Sequence, residues 1–250
     1  MKVRSLILVG VLSCVVFAIA LFPASLCWRM ASGAMGNGLP VQVERVGGTV
    51  WDGYAYGRLQ TQFVRGPVVV NWDLKGFRLL LGEVALGLDM EGTDFRIKGA
   101  GHWGLWGTGV SHLNGDVQAA MLNQSLRQFG VSAAGVINVE NVSVNLSGQS
   151  ITGATGWIRW SGGRVTAPGA GSGNPINFPP VNGEVREEEG DLYLTVTEAN
   201  DNKLLAELGV LPEKGLGSVK ALQRVLSLAG MSPGGDDDKV LVNMQQPLPF

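Results

Sequence analysis

Thiols, imidazoles and charge are all scarce in this chain, and each shortage removes a class of function. Only Cys14 and Cys27 occur, both in or just after an apolar N-terminal stretch. The rest of the chain therefore has no disulfide framework and no thiolate metal site. The two histidines, His102 and His112, share the stretch His102-Trp-Gly-Leu-Trp-Gly-Thr-Gly-Val-Ser-His112. No further ligands stand at a recognised metal-binding spacing beside them, so they read as ordinary strand or surface residues. Charged residues make up 16%, against about 25% in typical domains. The net charge of -2 and the lack of a basic stripe exclude a nucleic-acid partner. No G-x-S-x-G elbow, P-loop or dinucleotide fingerprint is present. The run Glu187-Glu188-Glu189 reads as a charged turn, since glycosidase carboxylates project from a cleft. The sequence thus predicts no enzyme activity, no metal and no cofactor.

What the chain does have is 37 glycines and short runs of alternating polarity between them. Leu59–Phe63, Val68–Trp72, Glu83–Met90, Asp94–Ile97, Gly135–Leu146, Gly156–Trp160 and Asp191–Thr197 all follow period two. Such runs, broken by Gly and Asn at intervals of about ten residues, predict antiparallel strands in a meander. Gly87 and Gly115 near strand centres predict bulges or strong bending. The expected fold is mainly β: a strongly twisted antiparallel sheet, or a two-sheet sandwich, with few short helices. Helical spacing is read over Gln118–Phe129, which could also begin as a strand, a short turn over Lys203–Leu208, and a helix over Ser218–Ala229, core-facing with partner binding as the alternative, capped by Ser218 and stopped by Gly230. Pro168–Pro175 and Ser232–Lys239 read as loops. The aspartates of the second lack the spacing of a calcium loop. Val240–Met244 reads as a last strand.

The N-terminus carries one long apolar run, from Leu6 through Phe17 to Leu21, continuing to Leu26. A helix over 5–26 would be roughly 30 Å long, the thickness of a bilayer core. Lys2 and Arg4 precede it and set its direction, with the bulk of the chain translocated. Pro23 would kink or end it, and Trp28 stands where an interfacial aromatic anchor would. Ala18-Ile19-Ala20 offers an alternative as a signal-peptidase site, but the apolar run continues past it. A lipoprotein reading of Cys27 is disfavoured by the bulky Leu26 before it.

Tryptophan recurs beside glycine at Trp51, Trp72, Trp103, Trp106, Trp157 and Trp160. Large aromatics of this kind fill a sheet's core. The competing reading is an exposed strip for a protein partner, since Trp is enriched in binding hot spots.

At Gly47-Gly48-Thr49-Val50-Trp51-Asp52-Gly53-Tyr54-Ala55 the chain resembles the type II secretion system protein N family (general secretion pathway protein N). That family carries a G-T-[LV]-W-x-G-x-A signature shortly after an N-terminal membrane helix. Val70-Asn-Trp72-Asp-Leu followed by Leu79-Leu-Leu-Gly82 resembles the family's W-x-L…L-x-G stretch, and Gly156–Trp160 sits where a similar strand falls. The resemblance implies residues 1–4 in the cytoplasm, a transmembrane helix over 5–26 and a periplasmic β-rich domain over 27–250. It implies a non-enzymatic inner-membrane subunit of the machine that exports folded proteins across the outer membrane. The expected partners are other inner-membrane subunits and the periplasmic part of the outer-membrane secretin. The matching residues Gly48, Thr49, Trp51, Gly53 and Ala55 bring no chemical role with them, and their physics suggests a bent first strand packed by Trp51. The rival reading is a periplasmic lipid-binding or lipid-transfer protein with an apolar β-groove. A sheet face free of charge over several consecutive strands would favour it.

Overall fold

A computed structural model describes residues 13, 17–35, 41–60, 65–79, 81–105, 107–127, 130–148, 150–167, 175–231 and 236–247. Helix α1 (Ala24–Met35) precedes strands β1 (Val41–Gly48), β2 (Asp52–Gln60) and β3 (Arg65–Leu74). A short helix α2 (Gly76–Leu79) leads to β4 (Glu83–Gly92), β5 (Phe95–Gly104) and β6 (Gly107–Gln118). A 3₁₀ turn (Ala119–Leu122) and helix α3 (Asn123–Leu126) are followed by β7 (Ser132–Ala133), β8 (Val136–Ser147), β9 (Ser150–Trp160), β10 (Gly163–Thr166) and β11 (Ile176–Phe178). Then come β12 (Val181–Glu188), β13 (Asp191–Glu198), β14 (Leu204–Leu211), β15 (Leu216–Leu222), helix α4 (Arg224–Leu228) and β16 (Val240–Pro247).

Thirteen of these strands form one sheet in the order β1-β2-β3-β4-β5-β6-β8-β9-β12-β13-β14-β15-β16, while β11-β10-β7 make a small second sheet. Every neighbour pair in the large sheet is antiparallel. This is the meander that period-two segments joined by short connections dictate. The β12–β13 hairpin shows the local chemistry. Glu189 and Gly190 both have positive φ, 55° and 87°, which fits a two-residue turn whose twist matches that of its strands.

Bulges interrupt the register in several ladders, among them a double irregularity between β6 and β8. His112 (φ 52°) and Asn141 (φ 50°) occupy it. Their side chains meet at 2.7 Å, and the Asn141 amide donates to Asn114 Oδ1 at 2.9 Å. The Asn114 side-chain amide also donates to the His112 carbonyl at 2.7 Å and the Ser143 hydroxyl accepts from the His112 amide at 3.0 Å, so the side chains of Asn114 and Ser143 satisfy backbone groups that a bulge would otherwise orphan. Gly115 lies at the same irregularity, whereas Gly87 sits in an unbroken ladder.

Partners directly opposite each other point to the same face, so the register sorts every residue. One row crosses the whole sheet. Val46, Ala55, Val70, Met90, Ile97 and Gly115 are successive partners. Val139, Ile158, Gly183 and Val196 continue the row, and Ala206, Ala221 and Val242 finish it. No member is polar. The opposite face carries the ion pairs between strands, such as Lys98–Asp89 at 2.7 Å, Arg58–Glu44 at 3.0 Å and Arg186–Glu207 at 3.2 Å.

Three expectations need correcting. Residues 5–26 do not form one helix: Phe17–Ala20 are helical, Leu21 turns, and Pro23 makes a β-bridge to Thr49 before α1 begins. Proline ends the helix because its ring blocks the preceding turn. Leu6 lies outside the described residues, and no described helix is long and apolar enough to cross a membrane. Second, Lys203–Leu208 is not a helical turn, because Leu204–Leu211 is strand β14. Third, the helix read over Ser218–Ala229 is β15 as far as Leu222, and only Arg224–Leu228 is helical. Val219 and Ala221 fit an apolar strand face as well as a helix face. Two flanking strands offer ladder partners, and an isolated short helix is marginal without such support.

Candidate functional site

The Gly48–Ala55 motif forms the β1–β2 turn. Gly48 has φ +79°, and a Cβ there would stand 2.6 Å from the Asp52 carbonyl. Thr49 holds the turn closed: its amide donates to the Asp52 carbonyl at 2.8 Å, and its hydroxyl accepts from the Asp52 amide at 3.1 Å. Gly53 is required for a different reason. A Cβ there would lie 2.5 Å from the Trp72 ring and 2.8 Å from two carbonyl oxygens. Its absence lets the Trp72 indole cross the strand. Trp72 Nε1 then donates to the Val50 carbonyl at 3.2 Å.

Trp51 stands at the tip of the turn and ties it to the N-terminal segment. Its Nε1 donates to the Ile19 carbonyl at 2.9 Å, the Val50 amide donates to the Phe22 carbonyl at 3.1 Å, and Pro23 bridges to Thr49. On its other side Trp51 lies against Gly76, and its carbonyl accepts from the Leu74 amide at 2.6 Å. So Trp51 packs the turn against the incoming chain; the bend in β1 itself is a bulge between Val43 and Arg45.

Helix α1 leans on β1 beside this turn. Between them lies an apolar cleft of about 300 Å³, lined by Cys27, Trp28, Val43, Val46, Ala55 and Trp72 among others. Adjoining clefts of about 450 and 460 Å³ are walled by Ile19, Phe22, Trp51 and Leu74. Signature residues Trp51 and Ala55, the expected anchor residue Trp28, and Trp72 are therefore brought together, with the N-terminal segment closing the group.

Other residues singled out in the sequence are not part of it. Phe17 and Leu21 are exposed on the N-terminal segment. Trp103 is 72% exposed at the end of β5. Trp157 points to the polar face opposite Glu140 and Glu184. Trp160 is on the apolar face, donates Nε1–H to the Ala134 carbonyl at 3.0 Å and stacks at a tilt on Phe178. Trp106 lies outside the described residues. Among the described residues no cluster of His, Cys, Asp and Glu could hold a metal ion.

The feature that residue-by-residue reading missed is the apolar face as a whole. Among the described residues only Glu187 and Glu198, near strand ends on β12 and β13, put charge in register with it, opposite Leu192 and Val181. Glu187 turns aside to accept from the Gly190 amide at 2.8 Å. Yet the face is not sealed. No large side chain in the described residues is fully buried, and Val84, Val110, Leu208 and Met244 on this face are each exposed. The signal lay in the alternation of every strand, but the shared facing emerges only from the register.

A family model described as "Type II secretion system (T2SS), protein N" matches residues 40–250. No curated protein and no solved structure matches the chain.

Proposed function

The chain belongs to the type II secretion system protein N family, and from that membership we propose that it is a non-enzymatic accessory or structural subunit at the inner membrane that supports export of folded proteins. The match over 40–250 carries this reading, because it takes in every strand of the large sheet. The apolar run before Pro23 serves as the membrane anchor, with Lys2 and Arg4 on the cytoplasmic side and the sheet in the periplasm. The bonds from the signature turn to Ile19 and Phe22 support it, because they place the sheet directly beside the end of that run.

The expected contacts are other inner-membrane subunits and the periplasmic part of the secretin. The sheet ends in β1 and β16, each paired on one side within the large sheet, and a partner strand can add to such an edge. Photo-crosslinkers placed at Gln42 in β1 or Asn243 in β16 should capture secretion subunits in intact cells. Deleting the gene should lower release of exported proteins into the medium. Normal release, with no subunit captured from either edge, would sink the proposal. Protease added to spheroplasts should digest the sheet domain while the anchor stays in the membrane pellet; full protection would overturn the orientation.

A further inference from the structure

We propose that the apolar face of the large sheet is a binding site for the acyl chains of a membrane phospholipid. Three observations carry it, and only the position of the site beside a bilayer rests on the anchored reading above.

The first is chemical. The row from Val46 to Val242 crosses thirteen strands without a polar side chain, and its rise of about 4.8 Å per strand makes it roughly 58 Å long. Backbone groups along it are spent in the ladders, so the face offers a ligand no hydrogen bond. A peptide laid there would leave its own amides and carbonyls unpaired, which costs several kcal/mol per group. A hydrocarbon chain has nothing to satisfy. The length suits it too: one leaflet of acyl chain spans about 15 Å, half the bilayer core, so several chains fit side by side.

The second is that the face is open in part: Val68, Ile151, Ala154 and Val185 on it are buried, Ile151, Ala154 and Val185 in one cluster with Ile158 and Leu194, while other stretches meet solvent. Among the described residues the secondary structure leaning on it near β1 is α1, and the cleft beneath that helix is about 300 Å³, within the usual size of small-ligand pockets. Val110, 44% exposed, and Leu208, 39% exposed, show the face half-covered far beyond the helix. Leaving such area to water forfeits about 25 cal/mol for each Å².

The third is where the face begins. The connections β1–β2, β3–β4 and β5–β6 all lie at the end of the sheet where Ile19 and Phe22 arrive. Phe77, Leu81 and Leu105 on these connections, and Trp103 at the adjoining end of β5, are 67%, 66%, 86% and 72% exposed. A rim of large apolar side chains continuous with an apolar N-terminal run fits the interface of a bilayer, where Trp is favoured. Lys75 and Arg78 flank the rim, paired with Asp73 and Glu83, so the rim carries no net charge and its affinity for a bilayer rests on its apolar side chains. The rim sets the mouth of the apolar face against lipid, and acyl chains enter there while their headgroups remain outside.

The test uses the full chain reconstituted in vesicles of phosphatidylethanolamine and phosphatidylglycerol that carry a trace of tritiated phospholipid. A benzoylphenylalanine is placed at Leu88, Val139 or Val196 on the apolar face, and at the neighbouring Asp89, Asn138 or Thr195 on the polar face. After irradiation, tritium should attach to the apolar-face positions at least ten times more than to their neighbours. A second copy of this chain or another protein captured in place of lipid overturns the proposal, as does equal labelling of both faces. Val139→Asp should abolish labelling at Leu88 and Val196. Val139→Phe, which keeps the face apolar, should leave labelling at Val196 in place, and both variants should keep the parent's far-UV circular dichroism. Lipid labelling with normal export in a deletion strain would sink only the secretion role, and loss of labelling with defective export would sink only this site.

Discussion

At the scale of single residues, Trp51 and Gly53 do different work within one turn. Trp51 joins the sheet to the N-terminal segment through one hydrogen bond and one packed ring. Trp51→Phe removes the bond and keeps most of the packing, so it should cost about 1 kcal/mol in urea unfolding. Trp51→Ala removes both and should cost about 2–3 kcal/mol, with faster proteolysis between Phe22 and Cys27 as the segment comes free. Gly53→Ala puts a methyl into the Trp72 ring and two carbonyl oxygens; the clash should cost about 1–3 kcal/mol. Equal stability of the alanine variant and wild type would show that Trp72 can swing away. The Trp-Gly spacing of this turn was readable in the sequence. The partner of Trp51 was not, because Ile19 lies 32 positions earlier and no local pattern records a contact of that range.

Strands are the next scale, and two predictions belong to them. Lys220 and Glu207 face each other across β15 and β14. Lys220→Glu would set like charges opposite, costing roughly 0.5–1 kcal/mol, and added salt should shrink the loss. If Ser218–Ala229 were helical, Lys220 would not face Glu207 and the change would be neutral. On β13, burial pushes the Tyr193 phenol above its ordinary value of 10.0, and Asp191, Glu188 and Glu207 add to the shift. The folded state therefore holds this proton more tightly than the unfolded state. Its contribution is intact below the ordinary phenol range and is lost as pH rises above about 10. Tyr193→Phe should flatten the alkaline fall in stability measured by denaturant titration; an unchanged slope would place the cause elsewhere. Element type was legible wherever alternation was strict, as in Asp191–Thr197. It failed at Ser218–Ala229, where the same apolar residues satisfy both periods and only the flanking strands decide.

For the molecule as a whole, each strand of the large sheet forms its ladders only with its neighbours in order. Stability should fall from the middle toward the ends. Hydrogen exchange should find the amides of β8 and β9 most protected and those of β1 and β16 least. Uniform protection would imply a closing contact that the strand order does not contain. A meander was readable from the spacing of strands. Its single-sheet form was not, since a sandwich and a curled sheet share the same alternation, and bulges such as that at His112 and Asn141 are set by side chains from different strands.

A sheet whose strands follow one another in line obeys a rule of parity. Removing two adjacent strands, such as β12 and β13 (Val181–Glu198), brings the chain back to the same end with the same residues facing the same way. Removing one would invert everything downstream. Growth or shrinkage by whole hairpins therefore keeps the direction and facing of every remaining strand, and leaves only the side-chain packing at the new seam to be refitted.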